Sequence, residues 1–441
     1  MYDSSLKVSA HKCLFFFALL LFRGVMDLSY GFVISEAFMY EGFLMHWDVG
    51  QYTLSWIIYL ISFGFVSDRV LKVGDYFFAV ALLSVVAPLS TMYGLDAEKP
   101  VDPLLVTVFA LYIIYYISRL GIFSLKKLPV VVGGRFLAVC ISLLFVVFLV
   151  FWFVASGARP NLDFTQVYEF REANAELTAK GIFAYTNNWT FQVFSIYLIS
   201  VALFYRKYLF VALLLLVQVY FFSIASHRSI LFIPFLVFGS WMYFRYSNSL
   251  LVLPVALALI ILASIVSYYA FDDVWLSSLM SRRVFFVPAN LSFVYFDFFG
   301  FNPHVYWSNS ILSAFSTYPY GDLGVPYVVG EYMGREGMGA NNGFVSSGFA
   351  HAGVYGVLFY ATIIGLIVRL INDVTVNNMP IWIAVAISVV PLRSILISSD
   401  LFTVMLTHGF GIALVLIYLS RTNSVSSDLG YPRTANLVRK I

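Results

Sequence analysis

Long apolar runs dominate this sequence of 441 residues and constrain its fold more than any other feature. A bilayer core about 30 Å thick is crossed by about 20 apolar residues of α-helix. Runs of this kind recur along the chain and predict twelve membrane-spanning helices in an all-α polytopic membrane protein with a single transmembrane domain. The runs cover, approximately, residues 13–34, 51–67, 76–94, 103–122, 136–156, 189–205, 208–225, 229–246, 249–270, 344–371, 379–398 and 400–420.

Charged residues are scarce in this sequence. They make up 11% of the chain, and hydrophobic residues make up 61%, whereas an ordinary soluble domain is about a quarter charged. So few charges cannot cover a water-exposed surface, which excludes a soluble enzyme, a disordered tail and a protein that binds nucleic acid. The net charge of +3 is too small to indicate a polyanionic partner. Cys13 and Cys140 lie in apolar runs, so neither a disulfide framework nor a CxxC metal site is predicted.

The distribution of basic residues predicts which side of the membrane each connection faces. If the N-terminus is cytoplasmic, the cytoplasmic segments contain 16 of the 26 basic residues but only five of the 23 acidic residues. Cytoplasmic connections of membrane proteins are enriched in Lys and Arg. We therefore expect both termini in the cytoplasm and an even number of spans.

Two segments on the predicted outer side, residues 157–188 and 271–343, are longer than a connection requires. Within the second, residues 284–301 form an apolar run that is long enough to cross the membrane. A crossing there would move the basic C-terminal tail to the outside, against the charge distribution. Pro288 and Asp297 inside this run also favour an interfacial or re-entrant element that packs on protein.

Arg23 and Asp27 are charged residues inside the first predicted span. A charge at the centre of a membrane helix costs about 2.5–3.5 kcal/mol on insertion scales. The two residues are four positions apart, so their side chains lie on one face of the helix and can pair. We interpret them as a structural ion pair.

Five arginines lie near the predicted outer face of the membrane. An arginine near a helix end often extends its side chain to water, and this interpretation suits any one of the five. Their shared level, on a face that is otherwise acidic, favours a site for an anion, because guanidinium groups bind phosphate in a forked geometry. The five are Arg228, Arg282, Arg283, Arg335 and Arg393.

The start of the tenth predicted span, residues 339–360, is rich in Gly, Asn and Ser. Asn341 and Asn342 are suitable caps for its N-terminus, where free N–H groups and the helix dipole favour an anion. The role of His351 stays open between a hydrogen-bonded packing residue and a general base. A small face for close helix packing is also predicted, formed by Gly348, Ala352 and Gly356.

Several reaction types have no motif in this sequence. It contains no phosphate-binding P-loop, no HExxH zinc motif and no GxSxG nucleophile motif. Two acidic pairs, Asp272-Asp273 and Asp96-x-Glu98, are similar to metal-binding acids of some membrane glycosyltransferases. Because such pairs in outer loops usually serve solvation, we predict neither a metal nor a cofactor.

Two segments resemble a known family, the Wzy-type O-antigen polymerases, which join oligosaccharide repeat units. The stretch ANNGFVSSGFAHAGVYG in the tenth predicted span resembles the Asn-Gly-Phe and spaced-glycine segment of that family. The upstream stretch RRVFFVPANLSFVYFDFF (282–299) resembles its Arg-rich outer-loop element. The resemblance covers residues 282–360, and the rest of the chain agrees in its hydropathy outline.

The resemblance implies a GT-C-like glycosyltransferase of lipopolysaccharide biosynthesis in the bacterial inner membrane, with an active site that faces the periplasm. Its substrates would be undecaprenyl-diphosphate-linked oligosaccharides. A sugar hydroxyl of one repeat unit attacks C1 of the growing chain on another, and undecaprenyl diphosphate leaves. Besides the lipid bilayer, a flippase and a chain-length regulator are candidate partners, and nucleic acid is not.

Residue roles follow from this implied reaction. The five arginines, with Asn341 and Asn342, are expected to bind the diphosphate and to stabilise its developing charge without a metal. The acceptor hydroxyl needs a general base to take its proton. Candidates for that base are His351, Glu331, Glu336 and Asp273.

Two other functions are alternatives. The related O-antigen ligases carry a His-Asn pair where this chain has Asn341-Asn342, which puts a ligase in doubt. A flippase or another transporter of the same lipid-linked glycan commonly has inverted repeats and interrupted helices, and neither is detected in the sequence.

Overall fold

The computed structural model describes residues 2–120, 129–162, 174, 181–310, 312–376 and 378–422, with the backbone alone for residues 2–9 and Arg228. Within these ranges the chain forms helices and connections, without a β-strand. The helices, in chain order, are α1 (Ala10–Ala37), α2 (Val49–Phe65), α3 (Val73–Leu95), α4 (Asp102–Arg119), α5 (Gly134–Ala155), α6 (183–204), α7 (Tyr208–Ala225), α8 (Arg228–Phe244), α9 (Val252–Phe271), α10 (Val274–Phe301), α11 (Val325–Tyr332), α12 (Phe344–Thr375), α13 (Ile381–Ile397), α14 (Leu401–Leu406) and α15 (Phe410–Leu419).

Among the described residues, eight helices are long and apolar enough to cross a membrane, so the chain is a multi-pass membrane protein. They are α1, α3, α4, α5, α7, α9, α10 and α12. Shorter apolar helices correspond to further predicted spans: α2, α8, α13 and α15. The all-α fold class is confirmed, whereas the number of spans and the sidedness stay predictions.

The helix ends in the structure differ from the limits of two predicted segments. The last predicted span, 400–420, is two helices, because the chain turns between α14 and α15 at Gly409, which has a left-handed φ of 73°. The first large loop was predicted to end at residue 188, but α6 begins at residue 183. Polar side chains are tolerated there because they bond to the backbone of their own helix, as in the 3.0 Å bond from Asn188 Nδ2 to the Ala184 carbonyl oxygen.

The connections meet one another at two separate ends of the helix bundle. At one end, His11 bonds to Asp68 and to Ser249, each at 2.8 Å, and the sequence predicts that this end is cytoplasmic. At the other end, the Ala97 N–H donates to the His46 carbonyl oxygen at 2.8 Å. We call the second end the site end; it comprises residues 38–48, 96–101, 302–310, 312–343 and 398–409.

Helix α12 lies at the centre of the bundle and packs along α4 and against α13. A Cβ atom at Gly365 of α12 would lie 2.8 Å from the Cβ of Ile117 of α4, so the two helices approach closely because this residue is a glycine. Membrane helices associate through such close packing at small residues, since lipid supplies no hydrophobic driving force between them.

Helix α10 contains the apolar run 284–301 within one continuous helix. Its second half contacts connections of the site end: Lys99 Nζ donates to Asn290 Oδ1 at 3.3 Å, and Tyr332 OH donates to Asp297 Oδ2 at 2.6 Å. The helix is long enough to span a membrane, and these contacts favour the predicted interfacial or re-entrant placement.

Helix α12 is broken near its start. Ala352 and Gly353 have non-helical dihedral angles, and Gly353 has a φ of 58°. The chain bends there so sharply that Gly348 and Gly356 touch each other: a Cβ at Gly356 would lie 2.0 Å from the Gly348 carbonyl oxygen. The small face was predicted to receive a neighbouring helix, and the two glycines instead hold together the two halves of one broken helix.

Replacing Gly356 with Ala is expected to lower the stability of the protein by about 1–3 kcal/mol, because an added methyl group has no space against backbone atoms. The measurement is the thermal unfolding midpoint in detergent. Gly239→Ala in α8 is the matched control, since no atom lies within 4 Å of the added Cβ. Equal midpoints for the two variants would contradict the close contact.

The predicted ion pair between Arg23 and Asp27 is confirmed. The Arg23 side chain is fully buried and also donates to Ser90 Oγ at 3.0 Å and to Ser55 Oγ at 3.2 Å. Tyr52 OH donates to Asp27 Oδ2 at 3.0 Å. This network joins α1, α2 and α3, and its hydrogen bonds satisfy a charge that would be costly if it were buried alone.

Candidate functional site

Two neighbouring cavities lie at the site end of the bundle. Their volumes are about 160 Å³ and about 310 Å³. Asn341 lines both, so the cavities adjoin at this residue. The polar residues of the first cavity are Glu41, Asn290, Arg335 and Asn341. Those of the second include Asn341, Ser347, His351, Ser399, Asp400 and Thr403.

His351 is buried at the break of α12, and both nitrogens of its ring face a partner. The Trp307 backbone N–H donates to Nδ1 at 3.2 Å, and Nε2 lies 3.5 Å from Asp400 Oδ2. The Trp307 indole ring also stacks on the imidazole ring, with 4.9 Å between the ring centroids. Because Nδ1 accepts a hydrogen bond, the proton of the neutral ring is on Nε2, which faces the carboxylate.

A strained turn presents Trp307 to His351. Tyr306 and Trp307 have positive φ angles of 49° and 56°, a conformation that disfavours residues other than glycine. The Tyr306 N–H donates to the His351 carbonyl oxygen at 2.9 Å, and the Val305 N–H donates to that of Ala350 at 3.0 Å. These bonds hold the turn against the break of α12, and such strain is characteristic of functional sites.

Asp400 is fixed by hydrogen bonds on both carboxylate oxygens. Oδ1 caps α14 and accepts from the N–H groups of Phe402 at 2.9 Å and of Thr403 at 3.3 Å. Oδ2 accepts from Tyr360 OH at 2.6 Å, and this hydroxyl accepts from Trp307 Nε1 at 2.8 Å. The Asp400 side chain stays 25% exposed, so it reaches the second cavity from a rigid support.

The first cavity is lined by one cation and one anion, Arg335 and Glu41. Arg335 forms no ion pair with the described part of the chain, and Glu41, the acid of this cavity, is paired with Arg282. Lys99 adjoins the cavity through its bond to Asn290, and burial lowers the pKa of its ammonium group. An anion in this cavity would gain ion pairs with groups that now have none or are poorly hydrated.

The structure does not bring the five predicted arginines together in one cavity. Arg282 is occupied by Glu41 and by Ser278 Oγ, and its guanidinium group lies over the Phe38 ring. Arg283 is exposed, and Arg393 is exposed on α13; neither lines either cavity. The side chain of Arg228 lies outside the described residues. Of the four described side chains, that of Arg335 alone lines one of these two cavities.

The predicted cap of the tenth span is wrong. Helix α12 begins after Gly343, without a side-chain cap, and a Cβ there would lie 2.0 Å from the Leu396 carbonyl oxygen. Asn342 is buried and donates to the Pro288 carbonyl oxygen at 2.9 Å and to Ser346 Oγ at 2.8 Å. Asn342 therefore ties α12 to α10, while Asn341 is exposed and available at the junction of the cavities.

The acidic candidates for the general base line neither cavity. Asp273 caps α10, where it accepts from the Trp275 N–H at 2.9 Å and from Ser267 Oγ at 3.1 Å. Glu331 and Glu336 are exposed residues of α11 and of the turn that follows it. Of the predicted bases, the second cavity contains His351.

One group of possible metal ligands occurs among the described residues: His46, Asp96 and Glu98, whose ligand atoms lie within 4.8 Å of one another. The imidazole already bonds to Asp96 at 2.8 Å through Nδ1, and this bond raises the pKa of His46. None of the three lines either cavity. Catalysis without a metal stays a prediction.

Four residues of the site are not among the candidates predicted from the sequence: Lys99, Trp307, Tyr360 and Asp400. Asp400 had a usable signal, because a carboxylate at the end of an apolar helix is rare enough to indicate function. Lys99 had the same signal as the five arginines, a basic side chain near the predicted outer face. Trp307 and Tyr360 had none, since aromatic residues make up 19% of the chain.

No family model, no curated protein and no solved structure matches this chain. The resemblance of residues 282–360 to O-antigen polymerases therefore stays a prediction from the sequence.

Proposed function

We propose that the protein polymerises undecaprenyl-diphosphate-linked oligosaccharide repeat units on the periplasmic leaflet of the bacterial inner membrane. A hydroxyl of one repeat unit attacks C1 of the glycan on another. The bond from C1 to the diphosphate oxygen breaks, and undecaprenyl diphosphate leaves with the electron pair. The protein is then a membrane glycosyltransferase of the O-antigen polymerase type.

The observation that carries this proposal is the pair of adjoining cavities. The reaction needs cations beside the leaving diphosphate and an acid–base group beside the attacking hydroxyl. The first cavity offers Arg335 and the nearby Lys99, and the second offers His351 and Asp400. Asn341 stands between them, where the sugar that is transferred would lie.

The second cavity also suits a sugar. Three aromatic residues, Tyr185, Tyr295 and Phe402, line it together with hydroxyl and amide side chains. Ligand sites commonly combine such apolar faces with a few polar groups that fix the orientation of the ligand.

The test is incubation of the purified protein, in liposomes, with a lipid-linked repeat unit, with and without a metal chelator. We expect a ladder of glycans on the lipid, unchanged by the chelator. Passage of the unit across the bilayer without any growth would instead indicate a flippase. Growth that appears only on added lipid A core would indicate a ligase.

A further inference from the structure

Resting on the proposed function, we infer that Asp400 takes the proton of the attacking sugar hydroxyl, and that His351 is a neutral hydrogen-bond donor to the same hydroxyl. The sequence predicts His351 as a candidate base and assigns no role to Asp400. The geometry around the two side chains assigns these different roles.

The proton of His351 is fixed on Nε2 by a backbone group. The Trp307 N–H points at Nδ1 from 3.2 Å, and a proton on Nδ1 would place two donors face to face. Rotation of this N–H away from the ring would break the backbone hydrogen bonds from Tyr306 to His351 and from Val305 to Ala350, which hold the turn.

A general base must offer a free lone pair to the proton that it accepts. The lone pair of His351 Nδ1 is engaged with Trp307, and Nε2 carries the proton. The ring can therefore donate from Nε2 and cannot accept from the cavity. A neutral histidine that polarises a substrate as a donor is an established catalytic device.

Asp400 has a free position for a donor from the cavity. Three hydrogen bonds, from Phe402, Thr403 and Tyr360, hold its carboxylate. The fourth neighbour, His351 Nε2, is at 3.5 Å, too far for a good hydrogen bond. A carboxylate accepts about four bonds, so a sugar hydroxyl in the cavity can donate to Oδ2 and accept from His351 Nε2.

The proposed step transfers one proton to Asp400 and leaves one electron pair on the diphosphate. The hydroxyl proton moves to Asp400 Oδ2 as the hydroxyl oxygen forms its bond to C1. The bond from C1 to the diphosphate breaks, and its electron pair stays on the diphosphate. Asp400 later releases the proton to water in the cavity.

Substitutions at His351 test the assigned proton position. The amide N–H of Gln takes the place of Nε2–H, whereas the amide of Asn takes the place of Nδ1. We expect His351→Gln to keep the rate of glycan growth within about tenfold of the wild type, and His351→Asn and His351→Ala to lose about 10²-fold or more. A His351→Gln protein as slow as His351→Ala would overturn the donor role.

The substitution Asp400→Asn tests the base. Asparagine keeps the cap of α14, because its side-chain oxygen still accepts from the backbone, but it cannot take a proton. We expect a loss of about 10²- to 10⁴-fold in rate and a small fall in the thermal midpoint, because the amide Nδ2 cannot accept the bond that Tyr360 OH donates to Oδ2. Asp48→Asn is the matched control, since Asp48 also caps a helix at this end, accepts from the Gln51 N–H at 2.7 Å and lines neither cavity.

The role of Asp400 and the proposed polymerase function are contradicted by different results. A full rate in Asp400→Asn, with a wild-type ladder, would overturn the role of Asp400 and leave the polymerase intact. A wild-type protein that makes no glycan under any condition overturns the proposed function, and the inference falls with it.

Discussion

Replacing Arg335 with Ala is expected to slow glycan growth by about 10²- to 10³-fold, the usual loss when one group that stabilises developing charge is removed. Arg335 is the arginine of the first cavity that has no acidic partner in the described chain. Its charge is therefore free to stabilise the leaving diphosphate. Because the interaction strengthens as charge develops, the loss should appear in kcat more than in KM.

The Arg335→Lys variant is expected to fall between the wild type and Arg335→Ala, because lysine keeps the charge but loses the forked geometry that matches phosphate. Lys207→Ala, an exposed cation of the opposite end, serves as the control. The measurement is the initial rate of linkage formation at saturating lipid-linked substrate. A full rate in Arg335→Ala would move the diphosphate away from the first cavity.

The single substitution Asp27→Asn is expected to destabilise the protein by about 3–5 kcal/mol, because it leaves the buried Arg23 charge without its partner. The double substitution Arg23→Leu with Asp27→Leu should regain much of that loss, since it removes both charges together. Unfolding midpoints in detergent measure the effect. A single variant as stable as the wild type would show that the pair does not hold α1 in place.

The positions of the helices were largely predictable. A lipid environment requires long apolar runs, and such runs can be recognised directly in the sequence. The ends and breaks of the helices were less predictable. The break of α12 was missed because Gly348, Ala352 and Gly356 fit a straight helix with a small face as well as a bent one. The contact that decides between them, Gly348 against Gly356, exists only after the chain has bent.

The site was predictable where one residue carried the signal alone, as with His351 and Arg335. It was not predictable where a partner from a distant segment decides the role. Arg282 is predicted to bind diphosphate, but Glu41, in the connection that follows α1, is paired with its guanidinium group. Asp400 lies 49 positions after His351 in the sequence, and only the fold brings the two side chains together.

The proposed reaction couples the growth of a glycan to the release of a lipid diphosphate. The most direct measurement counts both products in the same liposomes: new glycosidic linkages from the ladder and free undecaprenyl diphosphate by phosphorus NMR. We expect equal amounts of the two products throughout the reaction, and a loss of both in Asp400→Asn. Linkages without released lipid diphosphate, or released lipid diphosphate without linkages, would contradict it.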